Sequence, residues 1–128
     1  MEVNCFISLG ELVDKLSILK VKYENIEDPQ KLDFIKKEMD LLESELQKLD
    51  LTGVDGYLNK LIKVNRSLWD IEDQIRLKEK EEEFGAEFIE IARSVYKTND
   101  LRFNIKNEVN DRYGSSIREM KSYEDYVK

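Results

Sequence analysis

Several polar side chains stand where a helical chain would ordinarily place leucine or isoleucine. Wound at about 100° per residue, Asn65, Glu72 and Arg76 fall inside the half-circle defined by Leu58, Leu61, Ile62, Leu68, Trp69 and Ile75. Asn99, Arg102, Lys106 and Asn110 fall on the face set by Phe88, Ala92 and Val95, and Lys20 lies between Leu16 and Tyr23. If these helices pack together, Lys20, Asn65, Trp69, Glu72, Arg76, Asn99, Arg102 and Lys106 line one inter-helix region. Its formal charge leans positive although the chain as a whole carries −7.

Two chemistries suit that set. In one, Arg76, Arg102, Lys106 or Lys20 holds a phosphate or carboxylate while Trp69, Tyr96 and Phe103 supply a flat apolar wall. In the other the polar groups satisfy each other, Glu72 pairing with Arg76 at i,i+4 or with Arg102 across the interface and Asn65 bonding Asn99. Burial of an unpaired charge costs several kcal/mol, so opposite charges at one depth tend to find each other, and the paired network is the preferred expectation.

Carboxylate chemistry is weaker. Asp73 beside Glu72 and Asp100 beside Asn99 raise a magnesium site, and Glu79 with Glu82 has the first spacing of the all-helical nucleotide pyrophosphohydrolases. Lys97 stands where the second acidic pair of that motif would begin, and the basic residues do not follow the order of a chorismate-mutase-like fold either. With no histidine and one cysteine, Cys5, the usual zinc sites and His-dependent nucleophilic triads are excluded. No catalytic residue, metal or cofactor is expected.

The elements that must position these residues are helical. Ser8 and Glu11 have capping-box spacing ahead of Leu9, Leu12, Val13, Leu16, Leu19, Tyr23 and Ile26, which gives a first helix. Asp28-Pro29 should start a second, antiparallel to the first, because Asp caps well and Pro suits the first helical position. Leu32, Ile35, Met39, Leu42, Leu46 and Leu49 follow at alternating steps of three and four, the mark of a packed seam. After the turn around Gly53 and Gly56, a third helix should run from about Asp55 into the early eighties and end in the charge run Lys78 to Glu83. Phe84-Gly85 offers a break, a fourth helix carries Phe88 through Val109, and Gly114 is a stop. Ser115 to Lys128 reads as a short helical extension docked on the bundle or on a second subunit.

Composition agrees. The chain has 128 residues, 41% hydrophobic and 38% charged with one proline, which suits one helix-rich domain over residues 1–128. The acidic balance argues against a broad nucleic-acid surface. No membrane span or signal peptide is evident and Cys5 has no partner for an intrachain disulfide, so a cytoplasmic protein is expected.

Four stretches taken together carry a resemblance: Ser8 to Leu19 (SLGELVDKLSIL), Val64 to Arg76 (VNRSLWDIEDQIR), Phe88 to Asp100 (FIEIARSVYKTND) and Lys121-Ser122-Tyr123. They resemble a small bacterial and phage family of unknown function, compact helical proteins of about this length. Some of its members are encoded near enzymes of surface-polysaccharide synthesis. The resemblance implies no activity or cofactor and assigns no role to Asn65, Trp69, Glu72, Arg76 or Asn99.

The expectation is an all-α antiparallel bundle of four main helices with a short C-terminal extension, forming a homodimer because the second and third helices offer more apolar surface than a small monomer covers. The function expected first is a non-enzymatic helical interaction protein, and the resemblance implies a role as an accessory to polysaccharide synthesis. The alternative is a binding protein or enzyme for a phosphorylated small molecule such as a nucleotide sugar, held by Arg76, Arg102 and Lys106.

Overall fold

The first helix of the computed structural model, which describes residues 1–127, is α1, Leu9–Asn25. Its N-terminus is sealed by the chain itself. The Ser8 hydroxyl accepts from the Glu11 N–H at 3.1 Å, the Asn110 side chain from the Gly10 N–H at 2.7 Å, and the Ser115 hydroxyl from the Leu9 N–H at 3.4 Å. Only half of the expected capping box forms, because the Glu11 carboxylate faces Lys106 Nζ at 2.9 Å instead of returning to Ser8. Helix α2, Pro29–Lys48, starts as expected, with Asp28 accepting from the N–H groups of Gln30 and Lys31.

Helix α3, Val54–Lys80, follows the left-handed Gly53, and α4, Ala86–Arg112, follows the break at Gly85. The two run antiparallel over their full length: Tyr57 stacks edge-on against Tyr113 near one end, and Lys78 bonds Glu87 at 2.7 Å near the other. Gly114, at φ 67°, ends α4, with the Ser115 N–H bonded to the Asn110 carbonyl at 2.9 Å in a Schellman-type closure.

All four helices meet at α1. It packs against α2, α3 and α4, whereas α2 approaches α1 alone, tied to it by Lys15 with Glu38 and Lys20 with Glu43. The core cluster is Val13, Leu16, Leu46, Val54, Leu58, Leu61 and Val109. Every one of these lies at the end of the bundle where α3 begins and α4 finishes. Past Asn65 on α3, and ahead of Lys106 on α4, no residue is buried; α1 still borders the hairpin there through Ile18 and Val21, and beyond the end of α1 the hairpin is a two-helix arm. Among the described residues no helix is long and apolar enough to cross a membrane.

The C-terminal extension is present but is not a helix. Beyond Gly114 the chain turns back along α4, where Glu119 bonds Lys106, Lys121 sits over the Phe103 ring at 5.1 Å, and Tyr126 stacks on Tyr96 at 5.2 Å. A helix this short is marginal in water, and these side-chain contacts fix the segment in an irregular path instead. Lys128 lies outside the described residues.

Candidate functional site

The polar centre of the bundle is built around Asp14, which is fully buried on α1. Gly10, one turn earlier, lets α1 and α4 approach closely. A Cβ on Gly10 would lie 2.5 Å from the Lys106 carbonyl oxygen, so no larger residue fits unless a helix moves. At this crossing Arg102 grips Asp14 with two hydrogen bonds, Nε to Oδ1 at 2.9 Å and Nη2 to Oδ2 at 2.6 Å. Asn65 donates through Nδ2 to Asp14 Oδ1 at 3.1 Å and to the Ser17 hydroxyl at 2.7 Å.

Lys106 stands on the other side of Arg102. Its Nζ lies 2.9 Å from Glu11, 2.6 Å from Glu119 and 4.0 Å from Asp14, and its side chain is 8% exposed. Burial lowers its proton affinity, yet the hydrogen bonds of Glu11 and Glu119 and the charge of Asp14 outweigh that, and its pKa is raised. The hydrogen bonds that Arg102 donates to Asp14 likewise raise its pKa against the opposing effect of burial.

Next to this network a cleft of about 430 Å³ opens between α1, α3 and α4. Six of the eight residues expected at one site line it: Asn65, Trp69, Glu72 and Arg76 from α3, Asn99 and Arg102 from α4. Ile18, Val21 and Leu68 add apolar wall, and Asp73 adds a second carboxylate. Lys20 and Lys106 lie elsewhere. Lys20 turns to α2 and meets Glu43 at 3.6 Å, on the face of α1 where Lys15 meets Glu38. Lys106 is taken by Glu11 and Glu119.

The pairings differ as well. Asn65 bonds Asp14 and Ser17 and not Asn99, and Arg102 pairs with Asp14 and not Glu72. Glu72 does pair with Arg76, at 3.2 Å, but at the mouth of the cleft, where the Arg76 side chain is 77% exposed. Two arginines thus face Glu72 and Asp73 within the lining and Asp14 directly behind it, and the positive bias expected from the sequence is gone. Among the described residues no group of three potential ligands stands close enough to hold a metal ion.

Sequence reasoning missed Asp14, Ser17, Gly10 and Glu119; it placed Asn110 on the polar face of α4 but not at the Gly10 N–H, and gave Glu11 to the capping box, not to Lys106. A signal existed for the α1 residues: Gly10, Asp14, Ser17 and Val21 recur at steps of four, three and four, a second stripe of small and polar side chains beside the leucine stripe. No curated protein and no solved structure matches the chain. The family of unknown function DUF6165 matches residues 1–128, the whole length, and the chain belongs to that family.

Proposed function

We propose that this is a non-enzymatic helical interaction protein, that the outer arm of α3 and α4 is its contact surface, and that a second copy of the chain is its first partner. The observation that carries this reading is the unfinished arm. It holds Ile71, Ile75, Phe88, Ile91 and Val95, all only partly covered, with Leu77, Phe84 and Ile89 exposed. Two helices cannot enclose each other's apolar stripes, and pairing two such hairpins into four helices is the common way to do so.

Surface area supports the same reading. A compact monomer of 15.2 kDa would expose roughly 7,100 Å². This chain exposes 9441 Å². That excess of about 2,300 Å² per chain is enough to supply one side of a permanent homodimer interface, which buries roughly 2,000–5,000 Å² over both partners together. The lining of the cleft, by contrast, offers little to a phosphorylated ligand now that Lys106 and Lys20 are engaged elsewhere. Light scattering at micromolar concentration tests the proposal: it expects about twice the 15.2 kDa chain mass, and the monomer mass would refute it. An accessory role in surface-polysaccharide synthesis and a cytoplasmic location are extensions of this proposal, motivated by the family resemblance and by the absence of a membrane-spanning helix among the described residues.

A further inference from the structure

The floor of the cleft holds polar groups that the chain leaves unspent. Asn65 is nearly fully buried and uses its Nδ2 group twice, on Asp14 and Ser17, yet among the described residues no donor reaches its Oδ1, which opens to the cleft. Arg102 spends Nε and one Nη2 proton on Asp14 and keeps both Nη1 protons. The Asn99 side chain, beside them on α4, is also without a hydrogen bond among the described residues. One acceptor, one charge-bearing donor and one amide therefore sit together at the base.

Above that base the groups change character in a fixed order. Trp69 lies one turn beyond Asn65, about 6 Å along the axis, and Asp73 one turn further, about 12 Å from Asn65. Helical side chains lean towards the N-terminus, so Asp73 reaches down towards Trp69. Glu72 is engaged by Arg76, whereas no cation lies within ion-pair distance of Asp73 among the described residues.

We propose that this cleft binds a basic α-amino acid, free or as the C-terminal residue of a peptide. The carboxylate bonds Arg102 Nη1, and the α-nitrogen donates to Asn65 Oδ1. The aliphatic stem lies along Leu68 and Trp69, and the side-chain cation passes over the indole ring to Asp73, where ring and carboxylate both favour it. A phosphate dianion is disfavoured in the same place because Asp14, Glu72 and Asp73 outnumber Arg76 and Arg102. The proposal does not depend on how the arm associates.

Trp69 is the only tryptophan of the chain, so its fluorescence reports the cleft directly. The full-length protein is titrated with L-arginine and L-lysine, with norleucine, which lacks the side-chain cation, with the peptide Gly-Gly-Lys and its amide, and with inorganic phosphate. A saturable change of Trp69 emission and a raised Tm are expected with the basic amino acids, with norleucine at least about tenfold weaker. Asp73→Asn, a change at an exposed position, should erase that preference while the fold persists. Tighter binding of Gly-Gly-Lys than of lysine, lost on amidation, identifies a peptide C-terminus as the source; the reverse order identifies the free amino acid. No saturation below about 10 mM, equal binding of norleucine, an unaltered preference in Asp73→Asn, or saturation by phosphate alone would each overturn the proposal.

Discussion

Arg76 and Arg102 look alike in the sequence, each an arginine on an apolar helix face, and their energetics should differ by an order of magnitude. Arg102 is half of a buried pair with Asp14, and Asn65 depends on the same carboxylate. Asp14→Ala should therefore cost about 2–4 kcal/mol in urea denaturation, because it leaves a half-buried guanidinium and the buried Asn65 amide without their shared acceptor. Arg76→Ala breaks only an exposed i,i+4 pair and should cost less than about 0.5 kcal/mol. If the two variants were equally stable, the buried network would not be what holds α1 to α4. Lys106 adds a pH dependence of definite sign. Its pKa is raised by Glu11, Glu119 and Asp14, so its contribution is complete below its ordinary value near 10.4 and is lost as pH rises through the raised folded value. Stability measured from pH 9 upward should fall more gently in Lys106→Met than in the parent. The residue types at the cleft were legible because they interrupted a clear apolar period. Their partners were not, since Asp14 lies beside the leucine stripe of α1, where an aspartate reads as solvent-facing until the position of α4 is known.

At the scale of elements, the helix starts and stops were legible wherever a side chain or glycine performs them locally. Asp28-Pro29, Gly53 and Gly114 each act where their chemistry requires. The exception is how α3 is closed. The helix does end in the charge run and α4 does follow Gly85, but the residue that closes α3 is not a glycine: Glu82 lies in the left-handed region at φ 55° and the Glu83 N–H closes on the Lys78 carbonyl at 3.0 Å. This position suits glycine, and a glutamate there is strained by about 1 kcal/mol. Glu82→Gly should raise stability by roughly 0.5–1 kcal/mol, less than the full strain because glycine also loosens the unfolded chain. Thermal melts of the two proteins decide it, and a lowered Tm would mean that Glu82 makes a contact worth more than the strain. Gly10 is the opposite case. Gly10→Ala drives a methyl group into the Lys106 backbone and should cost about 1–3 kcal/mol, as overpacking does. The only sequence signal for Gly10 is its place in the stripe with Asp14 and Ser17, since a glycine in a first helical turn otherwise passes without comment.

At the scale of the molecule, the unequal distribution of burial is the feature that most needs a partner. The core occupies one end, where α1 is surrounded, and the α3 and α4 arm continues outward with neither α1 nor α2 to complete it. The sequence hinted at this through apolar surface in excess of a small core, but it pointed as much to the seam of α2, whose Ile35 and Leu46 are in fact buried and whose Leu32, Met39 and Leu42 are half-buried. If a second copy covers the arm, charges placed on its exposed apolar positions should separate the subunits without unfolding either. Leu77→Lys with Ile89→Lys is expected to shift the scattering mass from dimer to monomer while the far-ultraviolet helical signal persists. Leu41→Lys, an equally exposed leucine on α2, should leave the dimer intact. The reverse pattern, dissociation by Leu41→Lys alone, would move the contact surface to α2 and leave the arm to be explained by some other partner.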